Sequence, residues 1–370
     1  MRTPEKLVLG SQLKQARLAA LLTELETAEN LGVSPSSIAS WETDVEEPNL
    51  SELEGLAELY GRHLDYFLRE TTAPPTDVHF RTTSRDKTRD LPRYVGLAVA
   101  KLDELCRTAF ELENLLGESP KRELYVASED TEPKVLANAE RKKLGYDGNP
   151  IGYFKGLREK LEAQGIRIFV INISTEAISG LSWLHDEYGP CVLIASWQPA
   201  GRRNFTLAHE YAHLLYQHAP SVCSISKEHG TYSRSEERKA NLFAVNFLLP
   251  AAAVKSDFIA RQLSAEPTLD DLAPMYRKWG VSSQALVYRL GEIGLIGKKW
   301  VDYLLPLSEP EIKIRQRKGA RRTPKWETRL GKRLIGTAKK AYKEGVVSAG
   351  RLASLLDVNV PKAMEILAKE

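Results

Sequence analysis

The chain has 370 residues, 42% hydrophobic and 27% charged, with a net charge of +3. That length predicts two or three domains, and the apolar fraction suffices for packed cores and excludes disorder throughout. Ordinary Gly and Pro usage excludes collagen-like and low-complexity classes, and no run of ~18 apolar residues predicts a membrane-crossing helix.

The opening MRTPEKLVLG lacks the apolar stretch of a secretory signal. Cys106, Cys191 and Cys223 are far apart and in no C-x-x-C spacing, which argues against a disulfide framework or a thiolate metal site. The expected location is therefore cytoplasmic, with no membrane partner. Residues 1–70 hold six Lys/Arg against thirteen Asp/Glu, a charge of −7. Within them Leu18, Leu21, Leu22 and Leu25, then Leu53, Leu56, Leu59 and Tyr60, recur at helical spacing. Between these runs Gly32 is suited to end a helix, Ser34 to cap the next and Pro35 to take its first position. Two short helices about a tight Gly turn form a helix-turn-helix pattern.

Residues 71–93 are polar and unperiodic, as a linker or extended arm is. Residues 94–117 return to one helical face through Val95, Ala98, Leu102, Leu105, Ala109, Leu112 and Leu116. GIRIFVINI and PCVLIASW are short β-branched runs read as strands. A helix is predicted from Phe205 to about Tyr216, and another from about Ser235 to Leu249, stopped by Pro250. Residues 268–297 predict two short helices broken at Gly280. Residues 311–345 hold thirteen Lys/Arg against three Asp/Glu, a charge of +10. The last 25 residues resemble a second helix-turn-helix around Ser348 and Asp357-Val358-Asn359.

The chemistry lies in His209-Glu210-Tyr211-Ala212-His213, an H-E-x-x-H. On a helix, residues i and i+4 share a face one turn apart, so both imidazoles can bind one divalent ion, and Glu210 is offset to handle a proton on water instead. A catalytic zinc needs a third protein ligand. Glu237 is the candidate, because Asn241 shares its face and can hold the other ring nitrogen of a ligand histidine. Glu236 is the alternative, though its i+4 neighbour Ala240 offers no such support. A buried His/Glu cluster satisfied by hydrogen bonds, or a zinc site without catalysis, are the competing interpretations.

Phe205-Thr206-Leu207-Ala208-His209-Glu210-Tyr211-Ala212-His213, then Glu237-x-x-Ala240-Asn241-x-Phe243-Ala244 and Leu248-Leu249-Pro250, resemble the ImmA/IrrE family of zinc metallo-endopeptidases. The flanking PCVLIASW and VSSQALVYRL resemble that family too, so the likeness covers roughly residues 120–300. It implies a gluzincin-like site with His209, His213 and Glu237 as ligands to one Zn²⁺ per chain (Mn²⁺ as a substitute) and Glu210 as catalytic base. It also implies a protein substrate, a transcriptional repressor or antitoxin, in a stress, mobile-element or toxin–antitoxin setting. His229, Tyr232 and Tyr288 are candidate oxyanion donors. His218 is expected at the solvent end of the motif helix, and His63, His79 and His185 have no ligand-spaced partner.

Residues 12–68 resemble an XRE-type (Cro/repressor-like) helix-turn-helix through Leu13, Arg17, Thr23, Ala28, Leu31-Gly32-Val33-Ser34, Ile38, Trp41-Glu42, Pro48 and Leu64-Asp65-Tyr66-Phe67-Leu68. Its recognition helix, Ser34 to Glu42, offers hydroxyls and no basic residue. Glu24, Thr43, Asp44, Glu46 and Glu47 stand where phosphate contacts are usual. Acids repel phosphate, so a protein-contact or homodimerising head competes with a DNA reader. The better polyanion candidate is the basic tail, with Arg317, Lys318, Arg321, Arg322 and Lys325 beside Trp326. The expected fold is α+β, mainly α. Its parts are a helix-turn-helix head (1–70), a connector (71–120), a zincin-like metallopeptidase domain with a small sheet (121–300) and a basic helical C-terminal domain (301–370). The alternative to a peptidase is a non-proteolytic helix-turn-helix regulator, or a toxin–antitoxin binding component, with a structural or sensory metal site.

Overall fold

The structure, a computed structural model, describes residues 10–62, 64–67, 93–118, 124–173, 178–218, 221–224, 234–319, 326–356 and 358–368. It is mainly helical with one small sheet. The chain packs into two compact units: residues 1–117 with 337–370, and residues 118–336. This packing partition differs from boundaries at 70, 120 and 300. Residues 301–336 pack with the sheet-bearing unit and 337–370 with the head.

In the first unit the head is built from α1 (Gly10–Ala19), α2 (Glu24–Leu31), α3 (Pro35–Glu42), α4 (Leu50–Tyr60) and α5 (Leu64–Phe67), followed by α6 (Arg93–Leu115). Thr23 and Glu26 form a capping box at the start of α2, and Gly32 closes that helix in the left-handed region at φ 69°. Ser34 caps α3, with Pro35 at its first turn. Leu13, Ile38, Leu56, Tyr60 and Phe67 fill one apolar core. Arg17 and Glu42, both buried, pair at 2.5 Å and 2.8 Å, so neither charge faces a partner. Burial of one ion alone would cost several kcal/mol, so this pair fixes α1 against α3. Asp44 accepts the backbone N–H of Gly10 at 2.9 Å and thereby holds the start of α1.

In the second unit the chain runs through α7 (Pro133–Lys143), α8 (Phe154–Glu162), β1 (Arg167–Ile171), β2 (Ile178–His185), β3 (Gly189–Ala195), α9 (Ala200–Leu215) and β4 (Ser221–Ser224). Then come α10 (Arg234–Leu248), α11 (Ala251–Ala260), α12 (Leu269–Trp279), α13 (Ser283–Glu292) and α14 (Lys298–Gly319). Helix α15 (Trp326–Lys343) contains a non-helical Gly331, and α16 (Ala349–Leu355) and α17 (Val360–Ala368) follow in the first unit. The sheet order is β1-β3-β2-β4, with β1 parallel to β3 and β2 antiparallel to β3 and β4.

The expected strands correspond to β1 and β3. Sequence reading missed β2 and β4. The β2 segment, ISGLSWLH, carries Gly180 and Ser182 where it meets Thr206 and Glu210 of α9, so the β-branched run that marks a strand is absent. Helix α9 packs on β2 and β3, and α10 packs on α9 and α7. Leu207, Tyr211, Phe243 and Phe247 form part of the shared core. Ser235–Ala260 has the length and apolarity to cross a membrane. Pro250 divides it into α10 and α11, and its Phe243, Phe247 and Leu248 are buried in this core.

Candidate metal centre

The motif helix α9 is pinned between the sheet and α10. Tyr211, on the face turned from the sheet, donates to buried Glu140 Oε2 of α7 at 2.5 Å. Tyr211 thereby sets the helix rotation, and His209 and His213 then emerge on one side, both nearly inaccessible to solvent. Their Nε2 atoms are 3.0 Å apart. Glu237 of α10 brings Oε2 to 3.4 Å from His209 Nε2 and Oε1 to 3.9 Å from His213 Nε2. One ligand atom from each of the three lies within 4.8 Å of the others. Bonds of ~2.0–2.1 Å to a tetrahedral ion place ligand atoms about 3.3 Å apart, so the donor set fits zinc. Among the described residues, it is Glu237 and not Glu236 that joins this group.

Glu210 is fully buried behind the histidines. Ser182 Oγ of β2 donates to its Oε2 at 2.7 Å. Its Oε1 has no hydrogen-bond partner among the described residues. Burial pushes the carboxyl up to about 7. Gly180 makes this approach feasible, since a Cβ there would stand 2.6 Å from Thr206 Cγ2 and 2.7 Å from Glu210 Oε1. Burial, then the neighbouring His209 and His218, push His213 well below the usual imidazole range, so it is neutral. A neutral imidazole is the form that offers a lone pair to a metal.

His218 differs from expectation. It is buried, not at a solvent end, and its Nδ1 is 2.7 Å from Nδ1 of His213. Its ring stacks on Tyr216 at an interplanar angle of 12°. The chain leaves α9 at Tyr216 and doubles back through Gln217 at φ 50°, which carries His218 to the far nitrogen of His213. A helix-spacing argument has no access to that turn. Asn241 is exposed, lines a neighbouring cavity and makes no hydrogen bond to either ligand ring among the described residues. Ser182 gave no signal in the sequence. Tyr288 is exposed and lines the same cavity as Asn241. His229, Tyr232, Arg321, Arg322 and Lys325 lie outside the described residues, as do the side chains of Arg317 and Lys318.

Residues 161–291, which contain the sheet, both histidines and Glu237, match the Peptidase_M78 family, described as the IrrE N-terminal-like domain. Residues 13–67 match the helix-turn-helix family HTH_3. The chain carries an IrrE-like peptidase-family domain and an N-terminal helix-turn-helix. A stretch of 60 residues is 37% identical to the HTH-type transcriptional regulator ImmR of Bacillus subtilis (strain 168), covering 16% of this chain and 47% of that protein. The match thus spans about half the length of that relative.

Proposed function

We propose that the chain is a zinc-dependent regulatory endopeptidase that cleaves a transcriptional repressor or antitoxin in a cytoplasmic stress, mobile-element or toxin–antitoxin response. The observation that carries this reading is the convergence of His209, His213 and Glu237 beside a buried glutamate with one unpartnered oxygen. A divalent ion held there supplies Lewis-acid polarisation of a peptide carbonyl. Ser182 occupies Glu210 Oε2, which leaves Oε1 to accept a proton from the attacking water. A carboxylate seated there takes that proton and can return it to the leaving amine. His218, at the Nδ1 of His213, stands where a proton acceptor would leave Nε2 of that ring for a ligand bond. His229 and Tyr232 remain the proposed oxyanion donors.

The test is Glu210→Gln in the full chain. Zinc content should stay near that of the wild type, while cleavage of a co-expressed repressor is lost, by about 10³-fold or more. Cleavage that persists in this variant would reject the assignment.

A second reading draws support from the match to a transcriptional regulator: a helix-turn-helix protein that acts by binding, with the metal site structural or sensory. On it, regulatory output survives Glu210→Gln. In either case DNA contact is proposed through Arg317, Lys318, Arg321, Arg322 and Lys325, and a homodimer through the head.

A further inference from the structure

Next to the metal centre lies a cavity of about 730 Å³. Its walls come from the start of α9, the second half of α10, the Gly280–Ser283 turn and α13. Both ligand-bearing helices lead into it. Phe205, one turn before His209, and Asn241, one turn after Glu237, are lining residues. The Phe205 ring stands 6.3 Å from the His209 ring, centroid to centroid. Along both helices the cavity thus lies one turn from a residue of the His209/His213/Glu237 group.

Its lining is largely apolar and includes Phe205, Val245, Leu248, Ala285 and the exposed Tyr288. The walls are fixed in place. Arg289 of α13 donates to Leu249 O and to Asn246 Oδ1, each at 2.8 Å, and so locks α13 to the end of α10. Asn204 donates to Gly152 O at 2.7 Å and Gly280 O at 2.6 Å, which stitches α9 to two loops. Its own Oδ1 is buried in the lining without a hydrogen-bond partner. A largely apolar cavity with one buried acceptor, one helical turn from the His209/His213/Glu237 group, suits a large side chain and an N–H group of an extended peptide.

We propose that this cavity is the specificity pocket of the peptidase, selecting substrates with a large aromatic or aliphatic residue next to the scissile bond. The inference rests on the peptidase reading and deepens it. It also gives Tyr288 a role as pocket wall in place of oxyanion donor.

The probes are two zinc-binding compounds, acetohydroxamate and L-phenylalanine hydroxamate, titrated into zinc-loaded full-length protein by calorimetry. Acetohydroxamate reaches only the metal and sets the baseline. The benzyl group of the second should add affinity of about 30-fold if it is buried in the cavity. Ala285→Trp, which fills the cavity, should bring that ratio close to one. Tyr288→Ala, at an exposed position that threatens folding little, should reduce it about 3- to 5-fold. If acetohydroxamate binds and the benzyl group adds nothing, or its gain is untouched by both substitutions, the pocket is rejected while the metal site stands. If neither compound binds the zinc-loaded protein, the peptidase reading fails and takes the pocket with it.

Discussion

A carboxyl that stays protonated to about 7 in the folded chain makes stability depend on pH. An unfolded glutamate ionises near 4.5. Between these values the folded state binds more protons, so stability of the metal-free protein falls as pH rises from about 4.5 through about 7. Gln at position 210 is neutral throughout. In chelator, Glu210→Gln should therefore exceed the wild type in stability by on the order of 2 kcal/mol at about pH 8, with the gain vanishing toward pH 5. Thermal melts across that range check it, and a pH-independent difference would mean that the carboxyl ionises freely. His218 lies with its Nδ1 2.7 Å from His213 Nδ1, and accepting the proton there would keep His213 in the tautomer whose Nε2 is free for a ligand bond. His218→Leu should weaken zinc binding about 10- to 100-fold in competition with a chelator. An unchanged affinity would show the contact to be idle. The H-E-x-x-H residues are legible from spacing, because helical period alone sets which side chains of one helix share a face, whereas Glu237 comes from α10 and the Asn241 contact that singled it out in the sequence is absent among the described residues. His218 and Ser182 are not, since a turn and a strand crossing bring them in.

Among the elements, β2 does the least visible work in sequence and the most in the site. It pairs with both β3 and β4 and carries Ser182 and Gly180 beneath α9. Gly180→Ala would drive a methyl into Thr206 and Glu210. The expected result is at least a 10-fold loss of cleavage with zinc content retained, because Glu210 moves while the imidazoles on the far side do not. Zinc loss together with activity would instead indicate that α9 as a whole is displaced. The helices α9, α10, α12 and α13 are legible from periodicity and from Pro250 and Gly280, whereas β2 is not, for its residues are chosen to fit under a helix and not for strand propensity. In the head, Gly32, Ser34 and Pro35 mark the turn because capping is local chemistry.

At the scale of the whole molecule, charge separates the two ends of the chain. The acids of the head are partly committed to structure: Glu42 is paired with Arg17, and Asp44 caps Gly10. In α3 the Ser34 hydroxyl lies 2.7 Å from that of Ser36 and 2.9 Å from that of Ser37, so part of the recognition helix's hydrogen-bonding capacity is spent internally. If the basic tail carries DNA contact, Arg321→Gln with Arg322→Gln should lower affinity for any duplex alike and reduce the slope of log K against log salt by about 2. A sequence-dependent loss would point to the head. Amino-acid order alone established the mainly helical class, the helix-turn-helix, the pair of imidazoles one turn apart and the acid that accompanies them, since these depend on contacts within a few residues. The approach of α10 to α9, the support of His213 by His218, the seating of Glu210 on β2 and the cavity beside them arise from packing between segments distant along the chain. No local pattern encodes such distances, because each is set by how whole helices and strands fill a shared core.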